Sequence, residues 1–91
     1  NGIVEITILI NSSGSIFKNP IISYKGIPSN GESTNFVFDL EDKIKNLSRT
    51  YSLKNSKQDY NFIEEVKSNC RKTVKEKTGK RPYTNVNLVR I

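Results

Sequence analysis

The chain has 91 residues, a formal net charge of +6, 34% hydrophobic residues, one Cys, and neither His nor Met. A chain of this length makes one domain, 1–91, with a modest core that gains from a partner surface. Without an imidazole there is no Ser–His or Cys–His pair and no general base titrating near neutral pH, and one Cys excludes an internal disulfide or a thiolate zinc site.

No apolar run of about 18 residues and no signal-peptide pattern is present, so neither a membrane span nor secretion is expected. With a single Cys, the expected location is cytoplasmic. The chain lacks Met and starts almost directly in a strand, so a piece of a longer protein, or a chain whose first residues were trimmed, is expected.

Gly2–Ile10, GIVEITILI, alternates with period two. Val4, Ile6, Ile8 and Ile10 make one apolar face; Ile3, Glu5, Thr7 and Leu9 make a mixed one. This pattern predicts a half-buried strand. Asn11–Gly14 is a turn in which Gly14 can take a positive φ. Ser15–Ile27 returns to β-forming residues, with Pro20 as an edge, bulge or break because it lacks a donor. The simplest arrangement of the two runs is an antiparallel hairpin.

Gly26–Asn35, GIPSNGESTN, reads as a polar connecting loop. Phe36–Leu53 then has helical spacing, with Val37, Leu40, Ile44, Leu47 and Tyr51 in one narrow stripe. Asp39, Glu41 and Asp42 come early and Lys45 and Arg49 late, as the helix dipole prefers. No cationic or apolar pocket is evident around these carboxylates, so dipole and solubility roles outweigh a general acid/base role. Leu53–Gln58 reads as a short polar joint.

Asp59–Thr78 predicts a second amphipathic helix. At 100° per residue, Phe62, Ile63, Val66, Cys70 and Val74 share an arc of about 120°, wide enough to pack on a sheet. Lys67, Arg71, Glu64 and Lys75 lie opposite. Asp59 or Asn61 is a candidate N-cap, and Asn61 with Glu64 has capping-box spacing. Gly79 suits a left-handed C-terminal cap, and Pro82 forbids continuation. Cys70, on the apolar face, reads as a small buried hydrophobe rather than a reactive thiol. Tyr83–Ile91 predicts a final strand.

The order is therefore β-β-α-α-β. This is an α+β fold, a three-stranded sheet with two helices packed on one face and the last strand beside the first. Charge is unevenly placed: Lys67–Arg81 holds seven basic residues and one acid, while the rest of the chain balances. Lys67, Arg71, Lys75, Lys80 and Arg81 are the candidate phosphate contacts. The competing reading is a solvated helix face with a favourable helix end. No aromatic ladder suited to base stacking is evident.

Both ends of the chain resemble a known family. Gly2-Ile3-Val4 with its alternating continuation, the turn at Gly14, Asn19-Pro20-Ile21-Ile22 and Gly26 resemble the opening of the C-terminal domain of ribonuclease J. Glu76-Lys77-Thr78-Gly79-Lys80-Arg81-Pro82 and the following β-run resemble that domain's last helix and strand. The resemblance rests mainly on the GIV opening and EKTGKRP; residues 29–57 add no motif.

The resemblance implies a parent of the metallo-β-lactamase and β-CASP type, a two-zinc hydrolase that cuts RNA internally and degrades it from the 5′ end. Its zinc ligands would lie upstream in a His/Asp-rich motif, so no cofactor is expected in this chain. It also implies a domain of three strands and two helices linked to self-association and full activity. The implied partners are the parent's own catalytic domains, a second copy and RNA. Two functions follow: a non-catalytic accessory domain of such an enzyme, or an independent basic RNA- or DNA-binding module. A self-contained enzyme is not expected.

Overall fold

The computed structural model describes residues 2–27 and 31–91, with side chains described for 2–27 and 36–91. It contains β1 (Ile3–Ile10), β2 (Ile21–Lys25), α1 (Gly31–Ser48), a 3-10 turn (Ser56–Gln58), α2 (Asp59–Thr78) and β3 (Tyr83–Arg90). The expected β-β-α-α-β order and α+β class hold, with β1 central in a sheet ordered β2-β1-β3. β2 runs antiparallel to β1, and β3 runs parallel to it. The parallel pairing requires a long crossover, which the two helices supply.

The alternation in β1 decides which face the helices cover. Val4, Ile6, Ile8 and Ile10 are fully buried. Burial of each contributes about 1.5–3 kcal/mol. They pack with Phe36, Leu40 and Ile44 of α1, with Phe62, Val66, Cys70 and Val74 of α2, and with Val86 of β3 in one core. Two edge-to-face aromatic pairs flank it: Tyr24 with Phe36 at 5.0 Å and Tyr51 with Phe62 at 5.6 Å.

The second strand is shorter than the expected run 15–27. Pro20 is buried just before it, and the earlier part is reduced to a bridge between Ile16 and Ile10. The physical reason is the missing donor of Pro20, which breaks the ladder. The Asn11–Gly14 turn is fixed by Asn11, whose Oδ1 accepts from the Ser13 and Ser15 amides at 3.1 and 3.0 Å.

α1 differs from the expected 36–53 at both ends. It starts at Gly31, inside the stretch read as a loop, of which residues 28–30 lie outside the described residues. Residues 31–35 contain no periodic apolar position, so hydrophobic spacing is blind to this helix end. α1 stops at Ser48, where the Arg49 and Thr50 amides donate to the Asn46 and Leu47 carbonyls and tighten the last turn. Phe36, outside the expected stripe, is buried, while Val37, Leu47 and Tyr51 are only partly so. Leu53, assigned to a polar joint, is 1% exposed and belongs to the core.

The start of α2 is also corrected. Its N-cap is Gln58, which makes no side-chain capping bond, and neither Asp59 nor Asn61 caps. The 3-10 turn carries the chain into the helix from upstream, with Asn55 Oδ1 accepting from the Lys57 amide at 3.0 Å. Asn61 thus lies within the first turn and the Asn61–Glu64 box does not form. Thr73 is also buried on the core face of α2, and Ile63 packs against the core while only partly buried. The C-terminus matches expectation: Gly79 is left-handed at φ 76°, its amide donates to the Lys75 carbonyl at 2.8 Å, and Pro82 follows.

Candidate nucleic-acid interface

α2 lays its apolar face on the core, so its opposite face is solvated by necessity. Lys67, Arg71 and Lys75 fall on that face at intervals of four residues, a stripe about 12 Å long at 1.5 Å per residue. Arg71 and Lys75 are exposed; Lys67 is half-buried and pairs with Glu64 at 3.5 Å. Lys80 and Arg81 come after the Gly79 cap, outside the helix. The Lys80 amide donates to Thr78 Oγ1 at 3.1 Å, and Arg81 is exposed.

The two remaining cations of the run differ from each other. Lys77 pairs with Asp39 of α1 at 3.0 Å and so joins the two helices. Lys72 is exposed, and no carboxylate lies within 4.0 Å among the described residues. Lys72 was not among the sequence candidates because its wheel position falls off the Lys67–Lys75 stripe. It extends the same surface sideways. Arg71, Lys72, Lys75, Lys80 and Arg81 are therefore free of carboxylate partners among the described residues.

Five carboxylates, in contrast, are committed to the fold. Asp59 binds Arg90, Asp39 binds Lys77, Glu64 binds Lys67, Glu65 accepts from Tyr51, and Glu5 accepts from Asn85. Cys70 is buried and accepts a hydrogen bond from Thr84 Oγ1 at 3.7 Å. Burial pushes its thiol up, partly opposed by the Thr84 hydroxyl and Arg71. These donors do not fit zinc: there is no imidazole, the one thiol is enclosed, and no three ligating side chains gather among the described residues.

A second surface emerges on the sheet. The face of the sheet away from the helices carries Ile3 beside Tyr83, Thr7 beside Ile21, and Leu9 beside Val89, by strand register. The Phe17 amide donates to the Leu9 carbonyl at 2.8 Å, which places Phe17 alongside. Ile3, Phe17, Ile21, Tyr83, Val89 and Ile91 are 41–70% exposed. A parallel pair such as β1–β3 is ordinarily covered on both faces. The polar row Glu5, Ser23 and Asn85 separates Ile3 and Tyr83 from Ile21, Leu9 and Val89. The mixed face of β1 was legible in the sequence; the exposed apolar residues that the neighbouring strands add to it were not.

The family model described as the ribonuclease J C-terminal domain matches residues 1–91. The chain belongs to this family. A comparison with curated proteins gave no match. The family's three-strand, two-helix expectation agrees with the sheet and helices observed, and the EKTGKRP segment of this ribonuclease J domain forms the end of α2, its left-handed cap and the entry to β3. Among the described residues, no helix is long and apolar enough to cross a membrane.

Proposed function

We propose that this domain is a non-catalytic accessory part of a ribonuclease J-type enzyme, which holds subunits together and helps to position RNA. The observation that carries the reading is the set of exposed apolar side chains, Ile3, Phe17, Ile21, Tyr83 and Val89, on the open face of the sheet. The occupant we favour is a second copy of the same face. In the registered rows of this face the only charged residues are Glu5 and Lys25. They have opposite signs, so two copies do not repel. The carboxylate-free cations of α2 lie in the other layer and stay open when the sheet face is covered.

On this reading the parent is a cytoplasmic ribonuclease whose zinc ligands lie outside this chain. Removing residues 1–91 from the parent is expected to weaken both oligomerisation, read by sedimentation, and RNA cleavage. A truncated parent with unchanged association and activity overturns the proposal. In the 91-residue chain, Ile3→Lys with Val89→Lys is expected to shift any dimer to monomer, because two buried cations face their own copies.

The unpartnered α2 cations also favour a second reading, an independent RNA- or DNA-binding module. Its signature is salt dependence. With single-stranded RNA, each phosphate neutralised by the protein adds about 0.7 to the slope of log affinity against log salt. Arg71→Ala with Lys75→Ala is then expected to flatten that slope by about 1.4. The absence of RNA binding by the isolated domain at low salt removes this reading and leaves the first intact.

A further inference from the structure

A second basic feature lies on the side of α1 remote from α2. Lys43 marks the α2 side, since its Nζ donates to Thr73 Oγ1 at 2.8 Å. Lys45 and Arg49 follow two and six residues later, about 200° and 240° further round the helix. Between them and the β1–β2 connection is a cleft of about 440 Å³, lined among others by Ser15, Lys18, Lys45, Ser48, Arg49 and Tyr51. Small-ligand sites span about 300–1,000 Å³.

The α1 cations of this cleft have no ion-pair partner among the described residues that accounts for them, and the third cation, Lys18, holds its Nζ 5.4 Å from the centre of the Phe17 ring. Among the described residues, none of Lys18, Lys45 and Arg49 has a carboxylate within 4.0 Å. Basic residues at a helix C-terminus usually serve its free carbonyls. Here three of the last four carbonyls already accept from other groups. Ser48 Oγ donates to Lys45 O at 2.7 Å, the Arg49 amide to Asn46 O at 3.2 Å, and the Thr50 amide and hydroxyl to Leu47 O at 3.0 and 2.8 Å. Arg49 Nη1 donates to Asn46 Oδ1 at 2.7 Å, which leaves most of its five donors.

The opposite wall is fixed. The Asn11 side chain holds the turn that leads to Ser15, and Lys18 sits at φ 62°, a left-handed backbone that disfavours any side chain. Ser13 Oγ gives its hydrogen to Asn11 Oδ1 at 2.7 Å, and Ser15 Oγ stands 3.3 Å from it with a hydroxyl that is free to rotate toward the cleft. Tyr51 contributes its ring as a wall, since its hydroxyl donates to Glu65. The end of α1 adds about half a negative charge from the helix dipole, outweighed by three full positive ones.

We propose that this cleft binds a phosphate group, with Arg49 and Lys45 as principal contacts and Lys18 and Ser15 closing from the β1–β2 connection. A guanidinium fork beside an ammonium suits the planar pairs of oxygens that a phosphate presents. The site is separate from the α2 stripe and stands whether or not the domain positions RNA.

The test is a titration of the 91-residue chain followed by amide NMR, at constant ionic strength balanced with chloride. Three probes are used: inorganic phosphate, a nucleoside 5′-monophosphate, and an RNA oligomer with hydroxyl ends and only internal diesters. Saturable shifts at Ser15, Lys18, Ser48 and Arg49 are expected with phosphate. Lys45→Gln with Arg49→Gln is expected to weaken binding at least tenfold, as is Lys18→Gln on the exposed turn should the double variant fail to fold. Arg71→Gln with Lys75→Gln is expected to leave it unchanged. Response to phosphate and the monophosphate alone assigns a terminal phosphate; response to the oligomer assigns a backbone diester. Shifts that do not saturate, that centre on Arg71–Lys75, or that survive the cleft variants overturn the proposal.

Discussion

Both oxygens of the Asp59 carboxylate are held at 2.7 Å by the two terminal nitrogens of Arg90. Asp59 opens α2, and Arg90 closes β3. The same guanidinium donates to the Leu53 carbonyl at 3.1 Å and the Asn55 carbonyl at 2.8 Å. One side chain thus ties the end of the last strand to the joint between the helices. The pairing explains why Asp59 does not cap α2: its carboxylate faces the strand. It also pushes the Arg90 guanidinium above its already high value, through the hydrogen bond to Asp59 first.

Arg90→Ala is expected to lower Tm, and Arg90→Lys to recover only part of the loss. An ammonium cannot span a carboxylate fork and two separate carbonyls at once. Thermal melts followed by circular dichroism read both. Equal melting temperatures for Arg90→Lys and the unsubstituted chain would refute the bidentate role. Partial exposure of the pair makes part of the effect sensitive to salt.

Gly14 makes a second link between the hairpin and the helical joint. Its φ is 83°, and a Cβ there would lie 2.8 Å from the Lys54 amide nitrogen and 3.1 Å from the Leu53 carbonyl carbon. Both obstacles are backbone and cannot swing aside. The left-handed conformation alone costs an L residue about 1–2 kcal/mol. Gly14→Ala is expected to exceed that figure in a urea melt, because the clash adds to it. Gly79→Ala is the control, since nothing lies within 4 Å of its added Cβ. It bears only the conformational part.

The parts of the fold legible in the sequence are those written as local periodicity. Val4, Ile6, Ile8 and Ile10 repeat every two residues, so the buried face of β1 could be read directly. Phe62, Val66, Cys70 and Val74 repeat at helical spacing, and Gly79 and Pro82 end the helix by backbone chemistry. Leu53 escaped because a single apolar residue in a polar joint has no period. The role of Arg90 escaped because its partners, Asp59 and the Leu53 and Asn55 carbonyls, lie more than thirty residues away. The Lys67–Arg81 cluster was visible as a run of charge. Lys18, Lys45 and Arg49 form no run, and only the packing of the β1–β2 connection near the end of α1 assembles them.

Cys70 is expected to resist alkylation in the native state and to react only when the fold opens. Its thiol is raised by burial, so the folded chain disfavours the thiolate. Deprotonation of the unfolded chain begins near the ordinary thiol value of about 8.5. Stability is therefore expected to decline as pH rises past that value and toward the higher folded one. Reaction with a thiol reagent should slow in step with global stability. Rapid native-state labelling would contradict the enclosed position beside Thr84.

Tyr51 supplies a second alkaline titration, on the surface. Its hydroxyl donates to Glu65 Oε1 at 2.7 Å, and its ring meets Phe62 edge to face. The hydrogen bond to Glu65, then desolvation, then the carboxylate charge raise the phenol above its ordinary value of about 10. The protonated form is the one the fold favours. The stabilisation is therefore fully present below the unfolded value and is lost as pH climbs through the raised folded value. Subtracting the phenolate absorbance curve of Tyr51→Phe isolates this residue from the other three tyrosines. Glu65→Gln is expected to move the isolated titration downward, since an amide oxygen still accepts but carries no charge to oppose the phenolate. An unmoved titration would mean that the carboxylate does not govern Tyr51, and that the α1–α2 joint is fastened at this point by ring packing alone.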